Sequence, residues 1–285
     1  MDLPTRTIRP RTKNQARSRR VRVATYNVHK CRGIDGRVRP DRIADVLREL
    51  DADIVALQEV VSREGRQRDR NQARYLAEEL GYHAQMGETR RHRGGAYGNL
   101  LLSRFPIHDA RHHDVSVPGR ERRGCLRADV RIDEGLRLHL FNIHLGTAIF
   151  ERRIQARELF RRRVFTDGDI DGPKIVLGDF NEWKRDLASH LFNSHFESVH
   201  ERMRPARVTT FPGVLPMLPL DHIYFDSDLK LDGLAVHRSR MALVASDHLP
   251  LVADFGLPER GEEGAEAPLP AKLCAGNSCE FGIQN

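Results

Sequence analysis

Residues 40–60 read PDRIADVLRELDADIVALQEV, and the change of pattern inside them decides the fold class. The first half repeats apolar residues at helical spacing, with Ile43, Val46, Leu47 and Leu50 on one face. Pro40 suits the first turn, where its missing N–H would have no partner anyway. The second half, DIVALQEV at 53–60, is almost continuously apolar, as a strand buried on both faces must be. A helix feeding a strand buried on both sides is the unit of an α/β protein.

Working outward, residues 21–28 are β-branched and alternate, which predicts a strand. Residues 71–80 form an amphipathic pattern stopped by Gly81, which predicts a second helix. The middle of the chain is strand-rich, at 99–103, 125–132 and 136–145. Asp133-Glu134-Gly135 makes a turn that pairs the last two as a hairpin. An Arg-rich helix is expected over 150–165, a third buried strand at 174–180 (KIVLGDF), and final strands at 220–225 and 251–255. No internal repeat is present. Helices alternating with buried strands, together with hairpins, point to an α/β sandwich with mixed sheets and not to a purely parallel doubly wound fold. It is expected to run as one domain over residues 21–257.

The hydrophobic content of 39% fits a soluble globular protein, and no apolar run approaches the roughly 20 residues needed to span a bilayer. The net charge of +7 is concentrated: residues 1–22 hold eight basic side chains against Asp2, while the segment from Glu259 on is acidic. Residues 1–20 are therefore expected to be a disordered basic arm and 258–285 a disordered acidic tail. The arm reads either as a solvated leader or as a tether to nucleic acid or an anionic membrane surface. No apolar segment follows it, so no secretory signal is read and a cytoplasmic location is expected. Cys31, Cys125, Cys274 and Cys279 are too few for a disulfide framework, and the last two lack the partners of a zinc site.

Four apolar runs end in polar residues: Tyr26-Asn27-Val28-His29, Leu57-Gln58-Glu59-Val60, Phe141-Asn142-Ile143-His144 and Leu177-Gly178-Asp179-Phe180-Asn181. A fifth polar cluster, Ser246-Asp247-His248, precedes the last strand. In α/β folds that edge is where ligands bind. Singly each has a plain explanation, such as Glu59 being the point where a strand meets water. Asp179 is not a Walker-type acid, because no G-x-x-x-x-G-K-[ST] exists in the chain, and His200-Glu201 lacks the second histidine of a zincin. Together they supply carboxylates (Glu59, Asp179, Asp221, Asp247), imidazoles (His144, His248) and amides (Asn27, Asn181). Oxygen ligands favour magnesium or manganese over zinc. Such an ion neutralises phosphate charge, amides steady a pentavalent transition state, and a histidine backed by a carboxylate moves protons near neutral pH.

The order YNV, LQEV, NIHL, GDFN, LDHIYF, SDHLPL resembles the motif series of the endonuclease/exonuclease/phosphatase superfamily, with its DNase-I-like fold, across residues 22–255. The resemblance implies a four-layer α/β/β/α sandwich with two packed mixed β-sheets and a site at one end. It implies Glu59 as principal metal ligand, with Asn27 and Asp247 close to the ion or its water. Asn27, Asn181 and His144 would hold phosphate, Asp179 would orient or deprotonate water, and Asp221 would back His248. Which group is the base stays open. Asn99 in YGNLLLSRFPI would support the site. The abasic-site repair branch has an acid or amide followed by glycine where this chain has His29-Lys30, which argues against that specificity. A nuclease competes with a phospholipid or small-molecule phosphoesterase. A non-catalytic binding module is the third reading, disfavoured because every expected position is filled. Oligomeric state is not legible.

Overall fold

The computed structural model describes residues 19–63, 71–92, 94–184, 187–202 and 208–258. In chain order the first half contains β1 (Arg20–Asn27), α1 (Pro40–Leu50), β2 (Ile54–Arg63), α2 (Gln72–Leu80), β3 (His83–His92), β4 (Gly95–Ser103), β5 (Ile107–Asp114) and β6 (Gly124–Asp133). The second half contains β7 (Leu136–His144), α3 (Ile149–Arg161), β8 (Lys174–Asp179), α4 (Leu187–Asn193), β9 (Glu197–Ser198), α5 (Val199–Arg202), β10 (Asp221–Phe225), β11 (Lys230–Val236), α6 (Ala242–Ala245) and β12 (Leu251–Gly256).

The strands form two mixed six-stranded sheets, ordered β11-β12-β1-β2-β4-β3 and β5-β6-β7-β8-β10-β9. Each has one parallel pair, β1 with β2 and β7 with β8, joined by the crossovers α1 and α3. Three apolar clusters separate four layers. One lies between the sheets, one under α1 and α2, and one under α3 and α4.

Side-chain alternation carries this layering along each strand. In β1, Val21 and Val23 face the second sheet while Ala24 and Tyr26 face the helices. In β7, Leu138 and Leu140 face inward; in β8, Ile175 and Leu177; in β10, Ile223 and Phe225. Continuing each series toward the strand end gives Asn27 (past Thr25), Asn142, Asp179 and Asp221. β10 runs antiparallel to β8 with Asp221 opposite Asp179, so both reach the same edge. The inner faces are therefore apolar through the core and polar at one rim.

The structure adds β3, β5, β9, β11, α4, α5 and α6, which the sequence reading leaves as loop, and extends β4 back to Gly95. Helix α3 ends at Arg161 because the next residues fold back and bury Val164 and Phe165 beneath it. Apart from Arg19, Arg20 and Pro258, the expected arm and tail lie outside the described residues, as do Cys274 and Cys279. Cys31 and Cys125 are buried, unbridged thiols. Among the described residues no helix is long and apolar enough to cross a membrane.

Candidate active site

The first sheet contributes Asn27 and Glu59. Asn27 closes β1, where its Nδ2 donates to Asp179 Oδ2 at 2.9 Å and to Glu59 Oε1 at 3.4 Å. Its Oδ1 accepts the His29 N–H at 3.0 Å, which fixes the amide's orientation. Glu59 sits in a bulge: pairing of β2 with β4 shifts register between Leu57 and Val60, and Glu59 has φ of 60°. A bulge re-aims a side chain, and a positive φ in a residue other than glycine costs free energy that marks a functional constraint. His29, Lys30 and Cys31 also have positive φ, and this tight left-handed turn brings the Lys30 ammonium onto Glu59 Oε2.

The second sheet contributes His144, Asp179, Asn181 and Asp221, and the loop leading into β12 of the first sheet contributes Asp247 and His248. Asp179, buried at the end of β8, has its Oδ2 at 3.6 Å from His144 Nε2 and 3.8 Å from His248 Nε2. His248 Nδ1 lies 2.9 Å from Asp221 Oδ2, and the Phe211 ring packs on the imidazole with centroids 4.9 Å apart. Asn181, at φ of 51°, donates its backbone N–H to Asp179 Oδ1 at 2.8 Å and its Nδ2 to the Leu145 carbonyl at 2.9 Å. Asp247 is 39% exposed and faces outward, 3.6 Å from His29 Nδ1 and 3.3 Å from Ser246 Oγ. All eight expected residues thus meet at one rim. Five others close on Asp179 and Asn27, Asp221 through His248, whereas Asp247 turns toward His29.

The environments split the two histidines. Burial and the nearby Arg123 guanidinium push His144 down to about 4, so it is neutral at physiological pH. Burial also opposes charge on His248, but Asp221 and Asp179 outweigh it and raise it to about 10. With a carboxylate at each ring nitrogen, His248 is an imidazolium. Burial pushes Asp179 up, while the two imidazoles and Asn27 hold it back. Burial likewise opposes ionisation of Glu59, yet charge from His144 and Lys30 and hydrogen bonds from Lys30 and Asn27 hold it at about 2. Because His144 is itself neutral above about 4, Lys30 and Asn27 are the partners that matter near pH 7.

Beneath the rim a polar seam joins the sheets. Gln58 Nε2 donates to Asn142 Oδ1 at 2.8 Å and to Thr25 Oγ1 at 3.1 Å. Asn142 Nδ2 donates to the carbonyls of Leu57 and Leu100, and Asn99 Nδ2 to those of Asn142 and Gly124. Asn99 therefore braces the site from below. Sequence reasoning assigned no role to Gln58, Asn142, Lys30 or Phe211. The first two stand inside the strand motifs on the inner face, a signal that was available. Phe211 gives none, because it reaches His248 only through the tertiary fold.

The model of the Endonuclease/Exonuclease/phosphatase family matches residues 24–248, spanning every residue of this rim. The chain belongs to that family. Members of the endonuclease/exonuclease/phosphatase family are hydrolytic enzymes acting on phosphoesters, and they commonly use divalent metals. The Escherichia coli (strain K12) protein YbhP is 32% identical over 250 residues, covering 83% of this chain and 96% of its own. An endonuclease/exonuclease/phosphatase from Beutenbergia cavernae superposes with TM-score 0.66 at 23% identity, over 84% of this chain and 72% of that one. A mannosyl-6-phosphatase of Bacteroides thetaiotaomicron gives TM-score 0.66 at 19% identity, over 82% and 99%. These two likenesses show the shared fold.

The donor set fits a hard divalent cation. Glu59 is held ionised, one of its oxygens already takes a cation, the Lys30 ammonium, and the other accepts from Asn27 Nδ2. Among the described residues no three acidic, histidine or cysteine side chains cluster into a cage.

Proposed function

We propose that the protein is a magnesium- or manganese-dependent phosphodiester hydrolase, with residues 21–257 as its catalytic domain. The observation that carries this reading is the convergence on Asp179 of Asn27, His144 and His248 from both sheets, with Glu59 one hydrogen bond further on. Glu59 would hold the ion, with the Asn27 amide oriented beside it and Asp247 at the outer edge of its water shell. When bound, the ion offsets phosphate charge and eases departure of the leaving oxygen.

The remaining chemistry belongs to the chain. Asp179 is the candidate base: its carboxylate is buried, its affinity for a proton is raised, and Asn27 and the Asn181 N–H fix its two oxygens. His248 is already charged and so is a poor base. As an imidazolium it donates to a phosphoryl oxygen and holds the negative charge that develops there. Asp221 keeps it charged and oriented. Neutral His144 and the second N–H of Asn181 complete the phosphate contacts.

The test is hydrolysis of bis(p-nitrophenyl) phosphate with magnesium, with manganese and in excess chelator. Activity restored by either ion, and lost by roughly two to four orders of magnitude in Asp179→Asn, is expected. Undiminished hydrolysis in chelator ends the metal claim, and an unimpaired Asp179→Asn removes that carboxylate from the chemistry.

A further inference from the structure

Nine large apolar side chains are exposed among the described residues, and all nine lie on segments that adjoin the rim along the chain: 34–38 after β1, 149–154 after β7, Trp183 after β8 and 214–217 before β10. The most prominent follow the catalytic residues directly. Trp183, 54% exposed, is two residues past Asn181. Ile149 and Phe150 open α3, just after His144 and Leu145. The loop before β10 reads FPGVLPMLPL over 211–220, ten residues without a charge. It is pinned to the site by Phe211 against His248 and by the Gly213 N–H bonded to the Asp247 carbonyl. Yet Val214, Leu215 and Met217 at its tip are 58%, 67% and 61% exposed. Basic side chains stand among them: Arg120 lies over the Phe150 ring at 4.7 Å, and Arg122 and Lys184 are exposed nearby in sequence.

Single exposed apolar residues need no explanation, but a set confined to one edge does. Exposed aliphatic tips and basic side chains thus adjoin the phosphate-handling groups of the site on one edge. A bilayer leaflet presents the complementary pair, hydrocarbon and a layer of phosphodiesters. Bases would be met by stacking rings; the edge exposes two, Trp183 and Phe150, but its most exposed side chains, Val214, Leu215 and Met217, are aliphatic and offer no stacking face. Such tips gain free energy only by leaving water.

We propose that this edge docks on an anionic phospholipid bilayer, with Leu215 and Met217 entering the hydrocarbon boundary and the site facing lipid phosphodiesters. The lipid as substrate rests on the hydrolase reading above; the docking does not. The experiment uses the full chain and its inert Asp179→Asn variant with vesicles of equal phosphatidylcholine and phosphatidylglycerol. Salt at about 0.5 M screens binding by the basic arm alone. Trp183 is the sole tryptophan, so its emission reports on this edge without any substitution. Both proteins are expected to float with vesicles, and Trp183 emission to shift to the blue and be quenched by brominated lipid. A Leu215→Ser, Met217→Ser double variant with an unchanged melting temperature should bind about tenfold or more weakly. Three results would each overturn the proposal: no flotation, flotation with Trp183 unperturbed, or wild-type binding by the double variant. Quenching of Trp183 by a single-stranded oligonucleotide with no response to vesicles would also overturn it, in favour of nucleic acid. Vesicle binding by a protein inert toward aryl diesters would uphold docking while removing the hydrolase reading.

Discussion

His144 and His248 approach the same oxygen of Asp179, at 3.6 Å and 3.8 Å, the first neutral and the second cationic. The difference is one carboxylate: Asp221 backs His248, while Arg123 bears on His144. His248→Ala is expected to cut turnover by roughly two to four orders of magnitude. Asp221→Asn should be milder and diagnostic, because removing a negative charge lowers the imidazole's proton affinity. The His248 value of about 10 should fall toward the ordinary range near 6.5, which proton NMR of the ring can follow. An unmoved His248 resonance would mean that Asp221 does not set its charge. Lys30 makes a second residue-level case. Its ammonium occupies Glu59, so a divalent ion held there as proposed would compete with it. Lys30→Met should tighten manganese binding by about tenfold in calorimetric titration, the scale of one charge-assisted hydrogen bond. Weaker binding would show instead that Lys30 assists the ion.

At the scale of elements, β7 and β8 bring His144 beside Asp179, and Gly178 sets how close they lie. Its φ is 149°, and a Cβ there would stand 1.8 Å from the Ile143 carbonyl oxygen. Gly178→Ala should therefore cost several kcal/mol, at the severe end of single substitutions, and should lower activity further by parting the two strands. A denaturant midpoint equal to wild type would show that the pair can spread without loss. The same strands explain what was legible from sequence. Interior strands are buried on both faces, so β1, β2, β7 and β8 announce themselves by apolar runs, and their polar last residues mark the site. The strands missed, β3, β5, β9 and β11, are the four sheet edges. Edge strands carry charge to avoid pairing with other chains, and β3 (HAQMGETRRH) and β5 (IHDARHHD) read as loop for that reason. Glu59 was legible as a strand-end acid, but its bulge was not, because bulges depend on the partner strand. Asp247 occupies its expected motif, yet its outward turn toward His29 is set by the loop around it.

The whole molecule has a second buried polar group, remote in role from the rim. Arg127 Nε and Nη2 bond Asp129 at 2.9 Å and 2.7 Å, Nη1 bonds Asp169 at 2.8 Å, and His139 Nδ1 lies 2.8 Å from Asp129. Burial opposes ionisation of Asp129, but His139 and Arg127 hold its carboxyl below the usual range. A depressed carboxyl stabilises the fold in full above its unfolded value of about 3.9 and loses that contribution as pH falls through the lower folded value. Asp129→Asn should thus destabilise by about 3–5 kcal/mol at pH 7, the cost of breaking a buried pair, and the gap should close only in stronger acid. A gap independent of pH would mean that the group is held by packing. The rim poses a different demand. Asn27 and Glu59 ride on one sheet and Asp179, His144 and Asp221 on the other, so chemistry works as a gauge of alignment between two slabs. Sliding one slab by a single residue, about 3.3 Å, would carry Asp179 out of reach of Asn27 while greasy faces stayed in touch. Apolar contact is non-directional and tolerates such slippage. The amides of Gln58, Asn99 and Asn142 act as dowels against it, so loosening them should silence turnover well before the slabs separate.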